Sequence, residues 1–288
     1  MARDATLVGR AAAPGRRRTS LRARGQIAGL IVLGLLTFLP VLIMLEISLK
    51  SVYQFNVYRW VPTFPWHLEN YVTAWWQVAG YLWNSVVLAT VTVAIAMVAS
   101  SLTAYVLARF DFPGRTFFYF AIISLLMIPG VLTLITTFWV VLKLGLVNSY
   151  MGLWLPMAAG AQAFQIFVLR TFFASLPEEL FEAARVDGAG DARTLWMIAI
   201  PLSRPIFATL AVLQFLDVWN QYIWPLMVIR DDPLQPIAVA LLHFNGMWQT
   251  DWGALFAGYT LAGLPLFILF AFTSRQFIQG LTSGAIKI

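Results

Sequence analysis

The chain has 288 residues, 60% of them hydrophobic and only 11% charged, with a net charge of +6. Soluble domains carry about 25% charged residues, so this excess of apolar residues points to lipid contact. There is no cysteine and there are two histidines, His67 and His243; that excludes a disulfide framework, a thiolate nucleophile and a cysteine or histidine metal cluster, and no metal site is expected.

Seven of the nineteen basic residues precede Gln26, in a basic arm over 1–25. Such a juxtamembrane cluster suits anionic headgroups and orients the chain; it gives no reason to expect nucleic acid. The run 25–45 is free of charge for 21 residues, longer than a signal-peptide core, and Glu46-Ile47-Ser48-Leu49-Lys50 follows without a cleavage pattern. It is read as a retained first span over 26–45. With about 20 apolar residues needed to cross the hydrocarbon core, further spans are predicted over 84–107, 116–137, 151–169, 206–226 and 255–274. The fold class is an all-α integral membrane protein with six transmembrane helices in a domain over 26–274, followed by a tail over 275–288. The loop between the first two spans is rich in rings, including Tyr53, Trp60, Phe64, Trp66, Trp75 and Trp76; they suit a headgroup-level belt or a loop that grips solute. The turn between the third and fourth spans falls near 145–150. Pro40, Pro129-Gly130, Pro156 and Pro265 either kink spans around a gate or are tolerated bends.

Lysine and arginine set the orientation. With the N-terminus cytoplasmic, inside segments hold fifteen basic residues and outside segments four: Lys50, Arg59, Lys143 and Arg230. Both termini and the polar segment over 173–204 are therefore expected on the cytoplasmic side. No phosphate-binding glycine motif is present, so any ATP must be bound by another chain. Arg230-Asp231-Asp232-Pro233 resembles an enzyme's metal-binding acid pair, but without companion ligands it reads as a solvated outer turn.

The segment over 173–204 is too polar to span. Leu176-Pro177-Glu178-Glu179-Leu180 places proline and carboxylates in a helix's first turn. Leu180, Ala183 and Ala184 fall on one face, and Leu195, Ile198 and Ala199 repeat the spacing. Asp187, Gly188, Gly190 and Asp191 form a stop and a restart. The expectation is helix, glycine turn, helix.

Glu182-Ala183-Ala184, then Gly188, then Ile198-Ala199-Ile200-Pro201 resembles the EAA loop of ABC importer permeases, with Ile-Pro where that pattern has Leu-Pro. Asn84-Ser85, Tyr105-Val106-Leu107-Ala108-Arg109, Pro113-Gly114-Arg115, Met127-Ile128-Pro129, Trp219-Asn220 and Trp224-Pro225-Leu226 are similar to the carbohydrate-uptake branch. Together they look like the second, six-span permease of maltose-, trehalose- and glycerol-3-phosphate-type importers. The resemblance implies a five-span core with a peripheral first helix in a bacterial or archaeal cytoplasmic membrane. It implies no catalysis and no cofactor on this chain. The implied partners are a sister permease, two ATP-binding subunits that hold ATP and Mg, and an extracytoplasmic solute-binding protein. Carried over, Glu182, Ala183, Ala184, Asp187, Gly188, Ile198 and Pro201 would couple to the ATPase, with Glu182 as charged contact and Gly188 as turn. The tail, with Gln279, Gly280 and Gly284, would reach between the ATPase subunits; by composition it is poor at holding a helix alone.

Asp217 is an acid deep in a span, twelve uncharged residues from either flank. An intramembrane carboxylate faces a cavity or a partner. Gln214, Asp217 and Gln221 share a helical face, with Asn220 and Trp224 nearby; these groups suit a sugar in a substrate pathway, or hydrogen bonds to a sister subunit. Two rivals stand beside the importer reading: a secondary transporter, which would show internal repeats, and a membrane sugar or lipid transferase, which would gather several acids or histidines at one face.

Overall fold

The computed structural model describes residues 21–247 and 251–283, with side chains over 25–242 and 251–274. Among these residues the regular elements are helices. In chain order they are α1 (Leu21–Ser48), α2 (Val52–Val57), α3 (Glu69–Arg109), α4 (Arg115–Ser124), α5 (Gly130–Lys143), α6 (Tyr150–Ala174) and α7 (Glu178–Val186). Then follow α8 (Asp191–Thr194), a π-turn (Leu195–Ala199), α9 (Ile200–Leu202), α10 (Arg204–Asn220), α11 (Ile223–Val228), α12 (Ile237–Met247) and α13 (Trp252–Ser283).

Among the described residues four helices are long and apolar enough to cross a membrane, Gly25–Ser48, Glu69–Arg109, Tyr150–Ala174 and Trp252–Ser274. Two bent pairs bring the total to six if each counts as one span. The predicted span over 116–137 is such a pair: Arg115–Met127 and Gly130–Lys143 meet at 105°. Proline forces the residue before it out of the helical region; Ile128 is accordingly extended, at ψ 116°. Pro40, Pro156 and Pro265 lie inside unbroken helices. The span predicted over 206–226 is also interrupted. α10 stops at Asn220, Gln221 is extended at ψ 118°, and α11 resumes at Ile223.

α3 runs for 41 residues, about 60 Å at the helical rise and about twice a hydrocarbon core. Its first third occupies what the sequence suggests is a loop. It packs against α6, α10, α12 and α13, while α1 rests on α13. Alanines buried along α3 (Ala74, Ala89, Ala96 and Ala104) let neighbours approach. One apolar cluster, with Val78, Leu82, Trp219 and Leu255, lies toward the start of α3. A second joins Leu88, Leu153, Val218, Trp224 and Val228. A third, at the end of α3, joins Tyr105, Leu169, Phe173, Phe181 and Leu195.

No residue in the window of α1 that could span a membrane is fully buried among the described residues, so beyond its contact with α13 its apolar surface is offered to lipid. Its anchor lies just beyond its end. Lys50 is 1% exposed; its Nζ sits 2.5 Å from Glu46 Oε1 and donates to the carbonyls of Tyr58 (2.5 Å) and Arg59 (3.0 Å). Asn70 Nδ2 donates to the carbonyls of Ser48 and Lys50, both at 2.9 Å. Of the rings that follow, Phe55 is buried and stacks on Trp252, whereas Tyr53, Trp60, Phe64 and Trp76 are exposed.

The α5–α6 turn uses left-handed backbone at Gly145 (φ 68°) and Asn148 (φ 61°). Asn148 Oδ1 accepts the N–H groups of Arg230 and Asp231, each at 3.0 Å, and its Nδ2 donates to Asp231 at 2.8 Å. Tyr81 donates to Asp232 at 2.5 Å. The acid pair therefore anchors a turn, and among the described residues no metal-binding group forms. At the other terminus α13 stays helical through Ser283, past the point where composition suggested an irregular tail. The side chain of Gln279 lies outside the described residues, and so do Gly284 and most of the basic arm; Gly280 is described only as helical backbone.

A Cβ added at Gly253 would lie 2.2 Å from the Lys50 carbonyl oxygen and 2.4 Å from Asn70 Nδ2, while one at Gly80 meets nothing within 4 Å. Gly253→Ala is expected to cost about 2 kcal/mol, typical of overpacking, and to lower the thermal unfolding midpoint in detergent. Gly80→Ala serves as the neutral control; equal midpoints for the two variants would contradict the close approach.

Candidate functional site

α7 begins after Pro177, with Glu178 and Glu179 in its first turn. Glu178 is held from two sides. Its Oε2 accepts from Arg109 Nη1 at 2.6 Å and its Oε1 from Arg185 Nη2 at 2.8 Å. Arg109, the last residue of α3, also donates to the Leu176 carbonyl at 2.8 Å, and its guanidinium lies 3.6 Å over the Phe181 ring. Phe181 in turn meets Tyr105, which packs edge-on against Phe173. The chain therefore joins the tip of its longest helix to α7 by an ion pair, a carbonyl bond and a cation–π contact.

The face that α7 turns inward is Phe181 and Ala184; Leu180 and Ala183 are exposed. That corrects the apolar face expected from Leu180, Ala183 and Ala184. The outward stripe is Glu179, Glu182, Ala183 and Val186, at i, i+3, i+4 and i+7, with Val186 88% exposed. Among the described residues Glu182 has no hydrogen bond or ion pair.

Asp187 caps α7 and Gly188 follows at φ 76°. The N–H of Gly188 donates to the Arg185 carbonyl at 3.1 Å and that of Ala189 to the Ala184 carbonyl at 2.9 Å. This pair is the Schellman closure, which needs left-handed backbone at the position Gly188 occupies. The second limb starts after Gly190, with Leu195 and Ala199 buried, Ile198 partly so, and Trp196 and Met197 exposed. Ile200 N–H bonds the Leu195 carbonyl, a π-type step. Pro201 can give Met197 no hydrogen bond and its ring crowds that carbonyl, so the wider π-turn accommodates the proline. Ser203 Oγ then donates to the Ala199 carbonyl at 2.6 Å, where the chain bends by 81° into α10.

Of the residues expected along a pathway, the structure brings Gln214 and Asp217 together in a cleft of about 220 Å³ between α6 and α10. Gln214 is buried and reaches the Met157 carbonyl at 3.5 Å. Asp217 has no hydrogen-bond partner among the described residues. Asn220 turns back to the Leu216 carbonyl at 2.7 Å, and Gln221 sits in the helix break. Trp224 is separate: its indole N–H donates to the Gly152 carbonyl at 3.1 Å inside a buried cluster. Sequence reasoning missed Gln165 on the cleft wall. It is 2% exposed, accepts from Ser100 Oγ at 3.0 Å, and its Nε2 has no partner among the described residues. Its signal was a pair of amides, Gln162 and Gln165, in a span that is apolar elsewhere.

The helix–turn–helix and the helices around it fall within one matched family model. The model for the inner membrane component of binding-protein-dependent transport systems covers residues 96–283. The chain belongs to this family. It is 35% identical over 249 residues, 86% of this chain and 83% of the other, to the probable ABC transporter permease protein YurM of Bacillus subtilis. It is 31% identical over 262 residues, 90% and 87% of the two chains, to the diacetylchitobiose uptake system permease protein NgcG of Streptomyces coelicolor. Among solved structures it matches a chain of a bacterial ABC transporter involved in import of the acidic polysaccharide alginate, with a TM-score of 0.77, 23% identity, and coverage of 92% of this chain and 100% of that one. The transporter permease family places the chain among membrane proteins that are not enzymes, and the transferase and secondary-transporter rivals fall away with it.

Removing Arg109 leaves Glu178 with one partner and uncovers Phe181. Arg109→Ala is expected to loosen α7 from α3 by about 2 kcal/mol, the worth of a charge-assisted hydrogen bond with a cation–π contact beside it. Arg109→Lys restores only part, because lysine lacks the planar fork. Amide hydrogen exchange over 178–186 reads the effect; unchanged protection in Arg109→Ala would show that the clamp does not hold the helix.

Proposed function

We propose that this protein is a permease subunit of an ATP-driven, binding-protein-dependent importer of a sugar or sugar derivative. It forms half of a translocation pathway beside a sister permease. The observation that carries the reading is the helix–turn–helix over 178–202, clamped to the tip of α3 yet leaving Glu182 exposed and, among the described residues, unpaired. A rigid link of this kind lets force pass between the surface segment and the membrane body. Relatives named for diacetylchitobiose, arabinooligosaccharide and glycerol-3-phosphate transport support the sugar class.

In this reading both termini and the loop over 173–204 face the cytoplasm, as the lysine and arginine balance favours. The loop docks on an ATP-binding subunit that holds ATP and Mg. Glu182 and Ala183 meet that subunit while Phe181 and Ala184 hold the permease side. Asp187 and Gly188 set the turn, and Ile198 and Pro201 set the second limb. ATP can reorient the pathway only by binding the two access states with different affinity; the clamp converts movement of α7 into movement of α3. The segment carrying Gln279, Gly280 and Gly284 reaches the ATPase pair. A solute-binding protein delivers substrate from outside.

The cleft of Gln165, Gln214 and Asp217 belongs to the pathway. Facing lipid would leave its carboxylate without partners, so this surface turns toward the sister subunit and the solute. Sugar hydroxyls donate to Asp217 and accept from Gln165.

Glu182→Lys is expected to insert normally, lose copurification of the ATPase and abolish uptake. Full copurification and uptake would contradict the docking assignment. Asp217→Asn keeps the shape and removes the charge; uptake is expected to fall about tenfold, the worth of one charge-assisted hydrogen bond, with the heterodimer intact. Dissociation of the heterodimer in detergent would instead assign Asp217 to the subunit interface.

A further inference from the structure

A second cleft lies apart from the coupling helices and the pathway, at the end of the molecule where α3 terminates. It holds about 760 Å³ between the 110–114 turn, the start of α4 and α6. Arg115 and Arg170 both line it. Arg115 is already paired with Asp111, an acid 98% exposed, and donates to the Phe110 carbonyl at 3.1 Å. Arg170 is different. Its guanidinium lies 4.6 Å over the Tyr119 ring, its Nε is buried, and among the described residues it has no acceptor at all. A guanidinium stacked on an aromatic face and left without an acceptor is a fork held ready for an anion.

Two further features meet at the same place. Gly114, at φ 85°, turns the chain so that Arg115 and Thr116 open α4 against the cleft. Arg115 N–H donates to the Phe112 carbonyl at 3.2 Å, but the N–H groups of Thr116 and Phe117 that follow have no helical carbonyl before them and favour negative charge. Beyond them α4 presents Phe117, Phe118 and Phe120, each more than half exposed. A cationic cleft bordered by exposed rings on a membrane helix matches a ligand with a charged head and an apolar chain.

We propose that this cleft binds a phosphate-bearing anion, the headgroup of an anionic phospholipid. The phosphate sits between Arg170 and the start of α4, and the acyl chains run along the phenylalanines. Bound there, the lipid ties α4 to α6 at the end where α3 meets the coupling helices.

The test uses the full-length protein purified from membranes in mild detergent, with native mass spectrometry to count retained lipid. Dioleoyl phosphatidylglycerol is expected to bind about fivefold tighter than dioleoyl phosphatidylcholine, roughly the worth of one arginine near a headgroup. Arg170→Gln should abolish that preference, and Arg170→Lys should keep part of it. If Arg170→Gln does not fold, the wild-type protein decides: phosphatidylglycerol, and not phosphatidylcholine, should slow hydrogen exchange over 111–120. Millimolar inorganic phosphate that slows the same exchange equally would support the phosphate site and assign it to a soluble source. Equal binding of the two lipids, or an unchanged preference in a folded Arg170→Gln, overturns the proposal. So does protection over 111–120 that arises only when other subunits assemble and no lipid is retained, which would give Arg170 to an acid on a partner protein.

Discussion

The contact between Arg109 and Glu178 is the joint on which the arrangement depends. α3 carries the packing of the bundle, and its last residue holds the first turn of α7 from three directions: the Glu178 carboxylate, the Leu176 carbonyl and the Phe181 ring. An exposed ion pair alone is worth little. Here the arginine is only 11% exposed and lies over a ring that is itself part of the buried cluster with Tyr105 and Phe173. A displacement of α7 therefore meets packed side chains, and packed side chains transmit displacement instead of absorbing it.

Proline and glycine decide where helices stop being continuous. Pro129 turns an apolar stretch through 105°, and Pro201 is met by a π-turn just before the 81° bend into α10. Gly188 supplies the left-handed residue that closes α7. Pro40, Pro156 and Pro265 leave their helices unbroken, so proline alone does not make a break. At Pro129 the preceding residue is extended and the following glycine costs helix. Non-helical backbone at membrane depth survives only where it lies against protein or water. The break after Asn220 obeys that rule, since Trp224 beyond it is buried and bonded to the Gly152 carbonyl.

Polar side chains within the bundle divide into two kinds. Ser100 with Gln165, and Gln162 with the carbonyl of Ala96, tie α3 to α6. Asp217 and the Gln165 amide nitrogen stay unsatisfied among the described residues. A carboxylate with no partner among the described residues marks a surface that does not suit lipid, as the exposed apolar side of α1 marks one that does.

The properties legible in the sequence are those that depend on composition and near neighbours. Membrane residence follows from apolar runs. The EAA pattern and its glycine turn follow from residues a few positions apart, and the φ of 76° at Gly188 matches that expectation. Pairings between distant residues were not legible. Arg109 and Glu178 are 69 positions apart, and Ser100 and Gln165 are 65 apart. Their meeting depends on how α3, α6 and α7 are rotated against one another, which periodicity does not state. The same rotation put Phe181 inside and Leu180 outside, and the helix break after Asn220 set Trp224 apart from Asp217. A helical face is a local property, but which neighbour it meets is set by the packing of the whole bundle, and that only the tertiary structure decided.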